Sequence, residues 1–200
     1  LTLEVLAEAV ASGGRALLLT AEPPRLVLDQ ARSLEFELAE ALRDGRLVLL
    51  EFAADAAQLL LASGAAALRA ALAEAASGAG LVAIDPITAL VSEYCDERDL
   101  RTLVRELFDS TASAGQASLF TCAREALDAA PIFERVLKET SGAWVTLQAE
   151  NGRRTMHVEK ARRAGARSEA LNFEIAPGGC RVLEAASPAA SPAAGGAGAP

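Results

Sequence analysis

Apolar positions along the chain first fall at helical spacing: Leu3, Leu6, Ala7 and Val10 share one face of a segment from Leu1 to Ser12, which Gly13-Gly14 stops. An unbroken apolar run, Ala16 to Thr20, then predicts a strand. Pro23-Pro24 opens a helix expected to reach about Arg43, with a stop near Gly45. The cycle repeats with a strand from Leu47 to Leu50, an alanine-leucine helix over roughly Ala56 to Ala76 and a strand from Gly80 to Asp85. A helix from about Glu97 to Ala114 and a strand from Ala117 to Cys122 complete it. Unbroken apolar strands of this kind suit a parallel sheet covered on both faces.

Beyond about Gly142 the period changes to two. The runs AWVTLQ, TMHVEK, LNFEI and CRVLE are separated by Asn151-Gly152 and Gly178-Gly179, so they predict antiparallel hairpins. The expected architecture is α/β, a three-layer domain over residues 1–185 with a mainly parallel central sheet and C-terminal hairpins. The segment 186–200 contains only Ser, Pro, Ala and Gly, offers no large apolar group to bury, and is expected to be disordered.

Composition narrows the partners. With 19 Lys and Arg against 27 Asp and Glu the net charge is −8, which disfavours general attraction to nucleic acid or anionic lipid. No apolar stretch approaches the length of a membrane-spanning helix. Three cysteines, Cys95, Cys122 and Cys180, and the single His157 exclude a zinc finger; the thiols are expected to be reduced core residues of a cytoplasmic protein.

Open parallel sheets bind ligands beyond the carboxyl ends of their strands, so chemistry is sought there. Glu22, Glu51, Asp85 and Thr121 lie just past the expected strands, three carboxylates and a hydroxyl suited to a metal-bound phosphate. Asp85 follows Leu81-Val82-Ala83-Ile84, where a strand-fixed carboxylate can reach Mg²⁺ through water, although such an Asp also serves simply to cap a turn. Lys160 and Arg162 read by themselves as an alternating charge pattern on a solvated edge strand.

Larger blocks resemble a known family. Residues 17–51, with Glu22, Pro24, Ala31-Arg32-Ser33 and Asp44-Gly45-Arg46-Leu47, resemble the KaiC branch of the RecA-like ATPases. Gly80 to Leu90 is similar to that family's Walker B strand and turn, and Ser118 to Glu125 to its strand ending in hydroxyls behind the γ-phosphate. Residues 151–165 and LNFEIAPGGCRVL are similar to its closing hairpins. The likeness implies a RecA-like fold binding ATP and Mg²⁺ between subunits of a ring or filament, with a signalling protein as a possible further partner. It assigns Asp85 to the metal, Thr121 to the nucleotide, Glu22 to the attacking water, and Lys160 and Arg162 to the γ-phosphate of a neighbouring subunit. Family members carry two acids where this chain has Ala21-Glu22, which bears on hydrolysis.

No G-x-x-x-x-G-K-[ST] occurs in the 200 residues, and the helix from Leu1 to Ser12 looks like the one that follows that loop. The loop is therefore expected just upstream of Leu1; the alternative is a chain that has lost its phosphate cradle. Two other functions stay open: a non-hydrolysing signalling or scaffolding module, and a DNA recombinase or helicase-like motor, which the acidic charge disfavours.

The remaining candidates have plainer readings. Glu35, Glu37 and Glu40 are expected on a solvated helix face, and Glu93, Asp96, Glu97 and Asp99 as capping groups in preference to a subunit contact. His157 reads as a strand surface residue, Trp144 as a core or interface anchor, and Arg163 and Arg167 as added positive charge beside Arg162.

Overall fold

The computed structural model describes residues 1–52, 58, 62, 65–91, 96–112, 116–162 and 170–183. Four parallel strands, β1 (Ala16–Thr20), β2 (Leu47–Glu51), β3 (Leu81–Asp85) and β4 (Ala117–Phe120), form one sheet in the order β2-β1-β3-β4. Ala16 through Thr20 pair in register with Leu47 through Glu51 on one side and Leu81 through Asp85 on the other. Side chains alternate across a strand, so the central pair feeds two cores. Leu17, Leu19, Val82 and Ile84 enter one cluster, while Ala16, Leu18, Leu81 and Ala83 enter the other.

Helices cover both faces, as the sequence pattern implied. α1 (Thr2–Ala11), α2 (Pro24–Ser33) and α3 (Leu38–Arg43) bring Leu6, Val10, Val27, Ala31, Leu38 and Ala41 to one cluster. The other receives α4 (Ala65–Ala75), the short α5 (Thr88–Val91), α6 (Glu97–Ala112), α7 (Arg124–Ala129) and α8 (Pro131–Thr140). A second, antiparallel sheet runs in the order β5 (Ala143–Glu150), β6 (Arg153–Ala161), β7 (Leu171–Ala176), β8 (Gly179–Leu183).

Several expectations need correction. The helix expected from Pro24 to Arg43 is two helices. Glu35 adopts φ 63°, its N–H bonding Arg32 O at 3.0 Å and the Phe36 N–H bonding Ala31 O at 2.9 Å, which is the Schellman pattern that ends α2. The break turns α3 so that Leu38 and Ala41 reach the cluster already holding Val27 and Ala31. Glu35 is therefore a left-handed corner and Glu37 precedes α3; only Glu40 sits on a helix. Helices α5, α7 and α8 occupy stretches given no helix from sequence. β4 ends at Phe120 rather than Cys122, and as the sheet's border strand it is half-exposed rather than covered on both faces. Cys180 is half-buried in β8, outside both core clusters, whereas Cys122 packs against the larger one. Cys95, Glu93, Arg163, Arg167, the segment 186–200 and parts of the expected helices at 56–76 and 97–114 lie outside the described residues.

The β7–β8 turn is tied to α1 and to the end of α2. Gly178 N–H donates to Leu34 O at 2.9 Å, and Cys180 N–H donates to the Glu4 carboxylate at 3.0 Å. Gly179 sits at φ 109°, and a Cβ there would lie 2.8 Å from Glu4 Cδ. Gly179→Ala is therefore expected to destabilise the fold by about 1–3 kcal/mol in urea denaturation, with partial relief when Glu4→Ala is added; additive effects would show that the contact does not matter.

Candidate functional site

The chain passes from β1 to β2 on one side and returns to β3 on the other, so the topological switch lies between β1 and β3. A crevice beyond the carboxyl ends of these strands follows from that reversal. It is present as a small cleft lined by, among others, Thr2 and Leu3 of α1, Thr20 closing β1, Glu22 just after it, Gln30 of α2, and Asp85 closing β3. Glu22 and Asp85 thus meet on one rim because Thr20 and Asp85 are in register.

Local bonds fix these groups. Buried Thr20 accepts the Glu22 N–H on its Oγ1 at 3.1 Å, which sets the first turn after the strand. The Thr121 hydroxyl donates to Asp85 Oδ1 at 2.5 Å, and Thr121 N–H donates to Ile84 O at 3.0 Å, so one residue after β4 holds both backbone and carboxylate at the end of β3. Gln30 Nε2 donates to Glu22 Oε2 at 2.7 Å. Glu51, at the exposed end of β2, does not line the cleft.

The donor chemistry fits magnesium. Asp85, Thr121 and Glu22 offer hard oxygens, and Mg²⁺ is usually held by one or two carboxylates together with waters and substrate phosphates. Among the described residues no group of three His, Cys, Asp or Glu could enclose a metal unaided. An ion here would be held by Asp85 and complete its shell with water and phosphate oxygens.

Lys160 and Arg162 stand elsewhere in the same chain. Arg162 donates to Glu139 O at 2.8 Å and Lys160 to Lys138 O, both at the carboxyl end of α8, where cations complement the helix dipole. Neither lines the Glu22–Asp85 cleft. Burial, then neighbouring Arg162, pushes the Lys160 ammonium below the ordinary lysine value. Trp144, half-buried, packs on the larger core with Lys138 Nζ 5.2 Å from its ring centre. His157 is half-buried on β6 opposite Thr146.

Ion pairs brace this end of the molecule. Glu139 pairs with Arg101, and Glu159 accepts from Lys138 at 2.6 Å and from Thr146. The Arg101 hydrogen bond lowers the Glu139 carboxyl, and the Lys138 and Thr146 hydrogen bonds lower that of Glu159. Carboxylates lowered on folding stabilise above their unfolded pKa and lose that contribution as the pH falls through the folded value. E139Q/E159Q is expected to flatten the fall in Tm as the pH drops below 4.5, the ordinary Glu value; an unchanged acid limb would refute this. Burial, with Glu134 adding to it, pushes the Cys122 thiol up to about 12, so it is no nucleophile. Asp96 fulfils its capping role, accepting from Arg98 N–H at 2.8 Å and Asp99 N–H at 3.2 Å.

A parallel sheet with helices on both faces and a separate antiparallel sheet is consistent with the RecA-like fold of P-loop ATPases. The chain belongs to the KaiC ATPase family: the family model described as "ATPase: KaiC" matches residues 3–187. No curated protein matches the chain. Among the described residues no helix is long and apolar enough to cross a membrane.

Sequence reasoning missed Gln30 and the first turn of α1 as parts of the cleft. For Gln30 a signal existed: Val27 and Ala31 are the buried positions of α2, and Gln30 flanks that face one turn beyond Val27.

Proposed function

We propose that this chain is the ATP-binding domain of an oligomeric regulatory ATPase whose nucleotide lies between subunits. Asp85, oriented by Thr121, holds Mg²⁺ through water, Thr121 stands behind the γ-phosphate, and Glu22 takes a proton from the attacking water. Lys160 and Arg162 reach the γ-phosphate of a neighbour, so each protomer supplies a cleft and a pair of cations to different sites. The observation carrying this reading is the shared rim of Glu22 and Asp85 at the sheet's switch point.

Self-association is supported by an apolar face on the antiparallel sheet, where Val145, Leu147, Ile175 and Val182 are 40–50% exposed. The register places Val145 opposite Val158, Leu147 opposite Met156 and Phe173 opposite Val182, so these positions share a side. A ring or filament fits this face better than a nucleic-acid partner, given the net charge of −8. A signalling protein that reads the nucleotide state would be a further partner. The free thiols Cys122 and Cys180 support a cytoplasmic setting.

The test uses the full-length protein. Calorimetry with Mg-ATP and light scattering should show nucleotide uptake and an assembly larger than a monomer. A monomer that takes up no nucleotide at millimolar Mg-ATP overturns the reading. Ala21 beside Glu22 favours a second reading, a module that binds ATP without hydrolysing it and acts as a signalling or scaffolding part. Bound ATP recovered intact after prolonged incubation would select that one.

A further inference from the structure

The Glu22 carboxylate, on the exposed rim of the cleft, accepts a hydrogen bond from one side chain. Gln30 Nε2 lies 2.7 Å from Glu22 Oε2. A carboxylate only accepts, so the amide must turn its N–H₂ toward Glu22, which leaves its carbonyl Oε1 as an acceptor of its own. Both residues line the cleft that Asp85 closes. An attacking water has two protons to place: one goes to the base, and the other needs an acceptor if the oxygen lone pair is to point at phosphorus. Ala21, next to Glu22, offers no side-chain acceptor.

We propose that Gln30 is the second half of the water-holding pair: through its amide it orients Glu22 and through its carbonyl it accepts the water's other proton. This rests on the reading of Glu22 as the group beside the attacking water. The neutral amide suits the task, because a cation in its place would hold the carboxylate but weaken it as a base, while a second carboxylate would repel it. The water oxygen bonds to the γ-phosphorus as the bond from phosphorus to the bridging oxygen breaks, its electron pair remaining on ADP. One water proton passes to Glu22; the other stays on the product phosphate, facing the Gln30 carbonyl.

The experiment compares wild type, Q30L, Q30E and E22Q in the full-length protein, measuring kcat, KM for Mg-ATP and the pH dependence of kcat. E22Q is expected to lose about 10²–10⁴ in kcat, the usual cost of removing a general base, and Q30L about 10–10²-fold with KM within about twofold of wild type. Q30E keeps an acceptor but loses the donor to Glu22, so its kcat is expected to lie between those of Q30L and wild type, with the acid limb of the pH profile moved to higher pH by the adjacent carboxylates. A readout independent of turnover is the Gln30 side-chain amide in nitrogen-proton NMR, whose protons exchange slowly in wild type and like those of free glutamine in E22A. If E22Q is inactive while Q30L matches wild type in kcat and pH profile, the role of Gln30 is wrong and that of Glu22 stands. If E22Q is fully active, or wild type hydrolyses nothing, both fall. Free-glutamine exchange in wild type overturns the pairing itself.

Discussion

Mixing two inactive variants, E22Q and K160A/R162A, is expected to restore ATP hydrolysis that neither shows alone. Removing the cations should cost about 10³–10⁵ in rate, the usual worth of charges stabilising the phosphoryl transition state from a neighbouring subunit. The two lesions lie in different places on the chain. Glu22 is on the cleft at the switch point, whereas Lys160 and Arg162 are at the carboxyl end of α8. In a head-to-tail assembly an E22Q protomer still offers its cations and a K160A/R162A protomer still offers its cleft. Random mixing of equal amounts makes about one interface in four intact on both sides, so about a quarter of wild-type activity should return. No recovery in mixtures shown by light scattering to have exchanged subunits would mean that the cations do not act between protomers. Retained activity in K160A/R162A alone would leave them as caps on α8 and nothing more.

The second large effect concerns stability. Ile84 is fully buried, sits in β3 immediately before Asp85, and lies between Leu19 of β1 and Phe120 of β4. Phe120 in turn meets Phe108 edge-to-face with ring centres 4.5 Å apart, so the pocket around Ile84 has little freedom to collapse. Ile84→Ala should cost about 2–5 kcal/mol, or roughly 4–20 °C in Tm for a domain of this size. Calorimetry provides the measurement, and a loss under about 1 kcal/mol would show that the site can repack. Because Thr121 is bonded to Ile84 O as well as to Asp85, the same change should also weaken Mg²⁺-dependent nucleotide binding.

The sheet was legible because parallel strands buried on both faces leave continuous apolar runs, and β1 and β3 are almost wholly buried. The carboxyl-edge rule points to Glu22, Glu51, Asp85 and Thr121, of which Glu22 and Asp85 line the cleft, Thr121 bonds Asp85 and Glu51 lies apart. The break between α2 and α3 was not legible, since Glu35 takes a left-handed conformation that glycine usually fills and no glycine stands there. Helices α7 and α8 carried a readable signal in Pro131 at the start of α8 and in Leu127, Phe133, Val136 and Leu137 at helical spacing, all of them buried. The spacing of Val27 and Ala31 places Gln30 beside the buried face of α2, but its partner Glu22 depends on how α2 is rotated against β1, which spacing alone leaves undetermined. The same holds for Lys160 and Arg162, whose resting partners are carbonyls of a helix the sequence reading did not include.

The strand order has a kinetic cost. β1 finds its β3 partner only when Ala16 meets Leu81, about 65 positions further along, a closure that relative contact order associates with slow folding. During synthesis, β1 and β2 emerge and can pair early, yet the opposite edge of β1 stays open until Asp85 has left the ribosome. A strand buried along its whole length in the finished fold thus keeps one edge open until β3 emerges, and chaperone demand in expression should fall once the nascent chain extends past β3.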